Sequence, residues 1–150
     1  MNLSRVNKNF NLQYIISYLG ILPFIYISID IFFFNIFALF FLKDFIIYYS
    51  LIIFTFIGAM RWSFYQISNP LNILYGFLPS FISTFLIFFN LLNYNKNLIL
   101  LYIFLFFILQ LIGDVIFNKQ NNSFENIFFI KVRIPATSII LINIFYLIFV

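Results

Sequence analysis

The chain has 150 residues, of which 65% are hydrophobic and only 8% are charged, whereas soluble domains average about 25% charged residues. A soluble fold of this composition would expose large apolar patches, so the composition excludes a soluble domain and predicts a surface that faces lipid. The chain has no cysteine and no histidine, which excludes disulfides, thiolate nucleophiles and imidazole bases, so we expect no metal and no cofactor.

The apolar runs predict an all-α polytopic membrane protein, a bundle of about five transmembrane helices that forms a single domain over residues 1–150. A helix that spans the bilayer needs about 20 mostly apolar residues. The apolar runs are separated by polar stretches at Lys43-Asp44, 66–69, 93–97 and 118–126. We therefore expect helices at about residues 12–33, 45–64, 70–92, 98–117 and 132–150.

Residues 30–42 fit neither a spanning helix nor a loop in water. The segment is too apolar for a soluble loop, yet it is short and contains Asp30 and Asn35. We expect it to lie in the membrane interface or to extend the first helix at a tilt.

Pro23 and Pro79 fall inside the first and third predicted helices. Each proline removes a backbone donor and should bend its helix. The alternatives are packing kinks beside Gly20 and Gly76, and paired breaks of the kind that mark binding sites in transporters.

The basic residues predict the orientation of the chain. Six of the eight lie on the side of the N-terminus in this topology, and only Lys43 and Lys96 lie on the other side. Because Lys and Arg concentrate in cytoplasmic loops, we expect a cytoplasmic N-terminus and a C-terminus on the opposite side of the bacterial inner membrane. The basic residues form no continuous patch, so we expect no nucleic-acid partner.

Three charged residues approach the same membrane face in this topology: Arg61, Asp114 and Arg133. A charge at the centre of a membrane helix costs about 2.5 to 3.5 kcal/mol on insertion scales, so each needs a reason. Asp114 is expected to pair with Arg61 or Arg133; alternatively, the charged side chains snorkel to the headgroups, with Trp62 as an interfacial anchor. A third interpretation is a basic pocket of Arg61, Lys131 and Arg133 that binds an anionic lipid headgroup or a phosphate.

Enzyme chemistry has few groups to use. Without histidine, a serine or threonine nucleophile would need a lysine or a carboxylate as its base. The hydroxyls of the third and fifth helices have no evident partner in the sequence; they are Ser80, Ser83, Thr84, Thr137 and Ser138. We therefore expect no enzymatic activity.

Five local motifs resemble, in their order and spacing, those of one family of small membrane proteins. Residues 18–24 (YLGILPF) look like its LG-x-x-PF opening, and residues 57–62 (IGAMRW) look like its G-[GA]-x-H-W-G element. Residues 78–80 match its LPS motif, Asp114 is similar to an aspartate before its short polar loop, and residues 131–137 (KVRIPAT) look like R-x-R-x-P-L-T. Together they resemble the transmembrane protein 69 family of bacteria and eukaryotes, where a mitochondrial location is implied.

The sequence departs from this family pattern at Arg61, where histidine is common, and at Ser63, where glycine is common. A role that needs a titrating imidazole at that point is therefore in doubt for this chain. The family has no established activity, so the resemblance implies the helical fold and the positions to test, which are Arg61, Trp62, Asp114, Arg133 and Pro135.

These observations favour a small non-enzymatic membrane protein that acts as a scaffold, an assembly factor or a lipid-interacting subunit. Its expected partners are the lipid bilayer and either another membrane protein or further copies of this chain. The alternative is a small carrier or channel that works as an oligomer, in which Pro23, Pro79 and the charged group would shape the path.

Overall fold

The computed structural model describes residues 15–59, 70–118 and 129–150. Within these ranges every regular element is a helix, and five helices are long and apolar enough to cross a membrane. They are α1 (Ile15–Phe34), α2 (Leu39–Ala59), α3 (Pro70–Leu91), α4 (Lys96–Asn118) and α5 (Phe129–Phe149). The prediction of an all-α polytopic membrane protein with five spanning helices is confirmed.

The chain divides into two compact units. The first comprises Met1–Ile36 and Phe106–Asn143, and the second comprises Phe37–Leu105 and Ile144–Val150. The first unit therefore holds α1 with the C-terminal part of α4 and most of α5. The second holds α2, α3 and the N-terminal part of α4.

α1 is interrupted near Gly20 and Pro23. A turn at Gly20 and Ile21 precedes the α-helix Leu22–Ile29, and Pro23 lies in the first turn of that helix. Proline has no amide hydrogen, so it fits the first turn, where amide donors have no acceptor within the helix. The Phe24 amide donates to the Ile21 carbonyl at 3.0 Å and begins the new helical ladder.

α1 ends in a π-helical turn, Asp30–Phe34. Hydrogen bonds to Asp30 close this turn at its C-terminal end. Asn35 has a left-handed backbone with φ 48°, and its amide donates to the Asp30 carbonyl at 2.7 Å. The Asp30 carboxylate is buried and accepts from the Ile36 amide at 3.2 Å. The first part of the 30–42 segment therefore extends α1, which was one of its two expected positions.

α2 begins at Leu39 rather than at about Phe45. Lys43 and Asp44, which we expected to break the helix, lie within it. Their side chains bond to polar groups outside α2, at Asn97 for Lys43 and at Lys96 for Asp44. Because these bonds satisfy the charged groups, the helix does not need to end there.

α2 and α3 pack along an antiparallel seam in the second unit. Asn90 of α3 donates to Asp44 of α2 at 3.2 Å, and the Ser83 hydroxyl of α3 donates to the Leu51 carbonyl of α2 at 3.4 Å. The two bonds are separated by seven residues on each helix, and they run in opposite directions along the two chains. This spacing is about two helical turns, so it returns to the same face of each helix.

Gly58 continues the seam at the same spacing along α2. A Cβ atom built on Gly58 would lie 2.6 Å from Pro79 Cγ and 2.9 Å from the Gly76 carbonyl oxygen. A larger residue would force the two helices apart, whereas glycine allows their backbones to approach closely. Gly76 and Pro79 of α3 therefore form the surface against which Gly58 packs.

In the first unit α1 contacts α5 at two points. The Tyr18 hydroxyl donates to the Lys131 carbonyl at 2.6 Å, and the Ser28 hydroxyl donates to Asn143 Oδ1. The Asn143 side-chain amide in turn donates to the Ile139 carbonyl at 2.8 Å. Because the later residue of α1 meets the later residue of α5, these two helices run in the same direction.

Most apolar side chains of the spanning helices face outward. Only 22% to 39% of the most apolar window of each helix is buried. The exposed groups include large side chains such as Phe33, Phe56 and Ile142. Such a surface is stable only where lipid or another membrane protein covers it.

Candidate functional site

Two clusters of polar side chains are candidates for a functional site. The Arg133 cluster lies in the first unit and comprises Gln110 and Asp114 of α4 and Arg133 of α5. The Lys43 cluster lies in the second unit, close to the ends of α2, α3 and α4, and comprises Lys43, Asp44, Asn90, Lys96 and Asn97.

Arg133 bridges two side chains that helical spacing brings together. Gln110 and Asp114 are four residues apart on α4, so they lie on the same face of that helix. Arg133 Nε is 3.0 Å from Asp114 Oδ2, and Arg133 Nη2 donates to Gln110 Oε1 at 3.2 Å. The planar guanidinium suits this arrangement because its donors project as a rigid fork.

The charged side chains of the Arg133 cluster are largely buried. The side chains of Arg133 and Asp114 are 11% and 6% exposed. Burying either charge alone would be costly, and removing one partner from a buried pair costs about 3–5 kcal/mol. The pair is therefore suited to hold α4 against α5.

Lys131 joins α5 to α1 through its backbone. Lys131 lies in a π-helical turn, Phe129–Arg133, that precedes the α-helix Ile134–Phe149, and Pro135 has no amide hydrogen to donate. The Tyr18 hydroxyl donates to the Lys131 carbonyl at 2.6 Å. Lys131 is exposed. The Tyr18 hydroxyl therefore gives this carbonyl a donor inside the protein, where an unpaired backbone group in hydrocarbon would be costly.

The Lys43 cluster is built around the Asp44 carboxylate. Lys96 Nζ lies 2.5 Å from Asp44 Oδ2, and Asn90 Nδ2 donates to Asp44 Oδ1 at 3.2 Å. Both oxygens of Asp44 therefore have partners. Lys43 Nζ donates to Asn97 Oδ1 at 2.8 Å, so the partner of its charge is a neutral amide.

Lys96 makes two further contacts in the Lys43 cluster, and one polar atom of Asn90 lacks a partner among the described residues. Lys96 Nζ donates to the Phe40 carbonyl at 3.3 Å and lies over the Phe40 ring, 2.8 Å from its centroid. This is the geometry of a cation–π contact. Asn90 Oδ1 is buried and has no hydrogen-bond partner among the described residues. The cluster is thus not fully satisfied by its own members.

The hydroxyl groups that could act as nucleophiles are mostly engaged by backbone carbonyls. Ser83 donates across to α2, Thr84 donates to the Ser80 carbonyl, and Ser138 donates to a carbonyl of its own helix. The Thr137 hydroxyl is buried with no hydrogen-bond partner in the described part of the chain. Nucleophilic catalysis needs a base that accepts the hydroxyl proton, and a carbonyl does not serve as one.

The structure brings together two of the predicted site residues, Asp114 and Arg133. Arg61 and Trp62 lie outside the described residues. An Asp114 pair with Arg61, the Trp62 anchor and the basic pocket that includes Lys131 therefore stay predictions.

The two predicted kink residues occupy different settings. Pro23 lies in the first turn of the α-helix Leu22–Ile29, and Pro79 lies inside α3 against Gly58. Pro79 thus has a packing role in the α2–α3 seam. The bends expected at both prolines stay predictions.

The sequence interpretation missed Gln110 and the Lys43 cluster. Gln110 precedes Asp114 by one helical turn, and this spacing is the signal that could have revealed a shared partner. Lys43 and Asp44 are flanked by apolar residues without glycine or proline, which is typical of an uninterrupted helix. Their partners lie more than 45 positions further along the chain, and no local pattern identifies such partners.

The helices and their buried polar bonds define an integral membrane protein of the all-α polytopic class. Across the described residues, no group of three or more His, Cys, Asp or Glu side chains could hold a metal ion. No protein-family model, curated protein or solved structure matches the chain. The resemblance to the transmembrane protein 69 family stays a prediction.

Proposed function

We propose that this chain is a non-enzymatic structural protein of the bacterial inner membrane, a scaffold or assembly subunit. Its outer helix surfaces would pack against lipid and against another membrane protein or a second copy of the chain. One observation carries the proposal: the Asp114, Gln110 and Arg133 side chains, which are costly to place in a membrane, bond to one another between two helices.

Paired charges suit a structural role better than a chemical one. A proton relay or a substrate site needs groups that exchange partners during the reaction. The side chains of Arg133 and Asp114 form an ion pair and are only 11% and 6% exposed, so a ligand would have little access to either charge. The α2–α3 seam adds a second rigid contact, at Gly58.

The outer surface supports a partner within the membrane. Most of each helix faces outward with apolar side chains. Helices associate in lipid through close packing of complementary surfaces, and no polar group is required for this. The scaffold would therefore present its apolar faces to a partner while the internal bonds keep its own helices together.

The proposed orientation places the N-terminus in the cytoplasm. It is supported by the six basic residues on that side and the two on the other. A C-terminal fusion to alkaline phosphatase should be active outside the cytoplasm, and the same fusion to green fluorescent protein should be dark there. The opposite pair of signals would contradict the orientation.

The proposal is tested by purifying the tagged chain in a polymer that retains native lipid and identifying bound proteins by mass spectrometry. An unrelated tagged protein of five membrane helices serves as the control. A reproducible stoichiometric partner, or a stable homo-oligomer, is the expected result. Substrate-dependent flux in liposomes that is lost on Arg133→Ala would contradict the proposal and favour the carrier or channel.

A further inference from the structure

The Lys43 cluster contains more positive than negative charge. Its two lysines share one carboxylate, Asp44, and Lys96 forms the salt bridge to it. Asn90 occupies the second carboxylate oxygen. Lys43 donates to the neutral amide of Asn97 instead of to a carboxylate. One positive charge in the cluster is therefore not balanced by a carboxylate of the cluster.

Burial makes this unbalanced charge costly. Lys43 is only 9% exposed. It lies four residues after Leu39, the first residue of α2, and this spacing corresponds to about 6 Å along the helix axis. An ammonium group so close to the end of a spanning helix lies within reach of the layer where phospholipid phosphates are found. An anion from that layer would compensate the charge of Lys43.

The surface beside the cluster favours an anion that carries acyl chains. Phe40, Phe41 and Phe45 of α2 are exposed, and the Phe40 ring contacts the Lys96 ammonium group. A free phosphate ion offers the same acceptor oxygens, but it has nothing to cover these rings. A phospholipid supplies both the phosphate for Lys43 and the hydrocarbon for the phenylalanines.

We propose that the Lys43 cluster binds the phosphate group of an anionic phospholipid. Lys43 supplies the unbalanced charge and its remaining hydrogen-bond donors. Lys96 and Asn90 bond to the two oxygens of Asp44, and Lys43 bonds to the neutral Asn97 instead. The site is separate from the proposed scaffold role, and either can fail without the other.

The test is native mass spectrometry of the full chain, released from micelles that contain equal amounts of phosphatidylglycerol and phosphatidylcholine. The wild type should retain about five times more phosphatidylglycerol than phosphatidylcholine, which corresponds to the effect of one lysine charge at the membrane surface. Lys43→Met should abolish this preference, and Lys43→Arg should keep it. Lys119→Met makes the same charge change outside the cluster and should also keep it.

Circular dichroism shows whether each variant remains helical. A second measurement uses the wild type alone: phosphatidylglycerol should protect the Lys43 amine from acylation by an amine-reactive reagent, and phosphatidylcholine should not. Equal phosphatidylglycerol retention by Lys43→Met and wild type would overturn the proposal. Protection of Lys43 by inorganic phosphate but not by phosphatidylglycerol would also overturn it, because the ligand would then be a soluble anion.

Discussion

The Arg133 cluster and the Lys43 cluster differ in how far the charges of their members are compensated. In the Arg133 cluster one arginine meets one aspartate and a neutral glutamine, so the charges of these groups cancel. In the Lys43 cluster two lysines share one aspartate. A balanced cluster is suited to hold helices together, whereas an unbalanced one is suited to attract an anion.

The largest effect is expected from Asp114→Leu. It removes the carboxylate that pairs with the largely buried Arg133 guanidinium, and the free energy of unfolding should fall by about 3–5 kcal/mol. Unfolding in mixed detergent micelles measures the loss. Val115→Leu is the control, because Val115 is exposed, and it should change stability by less than about 0.5 kcal/mol. A loss of that small size for Asp114→Leu would remove the contrast between the clusters.

The next effect concerns the seam between the helices that carry much of the Lys43 cluster. Gly58→Ala places a methyl group against Pro79 and the Gly76 carbonyl, and it should lower the free energy of unfolding by about 1–3 kcal/mol. The neighbouring Ala59 is exposed, so Ala59→Val should have little effect in the same unfolding assay. Equal effects of the two substitutions would show that Gly58 does not set the helix spacing.

A smaller effect is expected from Tyr18→Phe. The variant loses the donor to the Lys131 carbonyl, and hydrogen bonds between membrane helices contribute about 0.6 kcal/mol on average and about 1.7 kcal/mol at most. Tyr26 is exposed on the same helix, and Tyr26→Phe is the control. Faster amide hydrogen exchange near the start of α5 in Tyr18→Phe alone would support the bond, and identical exchange in both variants would contradict it.

The smallest effect on stability is expected from Lys43→Met. The substitution leaves behind only the amide of Asn97, which is exposed and can bond to water, so the loss should be below about 1 kcal/mol. Arg133→Met, measured in parallel, should cost several times more. If Lys43→Met were the more damaging substitution, Lys43 would be a structural group and the contrast between the clusters would be reversed.

The helices were predictable from the sequence because hydropathy and length are local properties. Five apolar runs of sufficient length lead directly to five spanning helices. The start of α2 was misplaced because Lys43 and Asp44 were treated as residues that must face water. A charged pair ends a membrane helix only when it lacks partners, and the partners of this pair come from distant parts of the chain.

The site was less predictable than the fold. The sequence indicated that Asp114 needed an arginine, but it offered both Arg61 and Arg133. Only a folded structure decides which helix lies beside α4, because the contact depends on tertiary packing. From the sequence, Gly58 was noticed within the motif of residues 57–62, and Pro79 was predicted as a kink. Their contact follows from the antiparallel seam, whose seven-residue spacing appears only when the two helices are aligned.

A double-mutant cycle on Asp114 and Arg133 tests the central claim most directly. The four proteins are wild type, Asp114→Leu, Arg133→Met and the double variant, and the quantity is the free energy of unfolding in mixed micelles. If the pair holds α4 to α5, the double variant should recover most of the stability that either single variant loses, with a coupling energy of about 3 kcal/mol. Losses that add to within about 0.5 kcal/mol would show that the two residues act independently and would contradict the structural role.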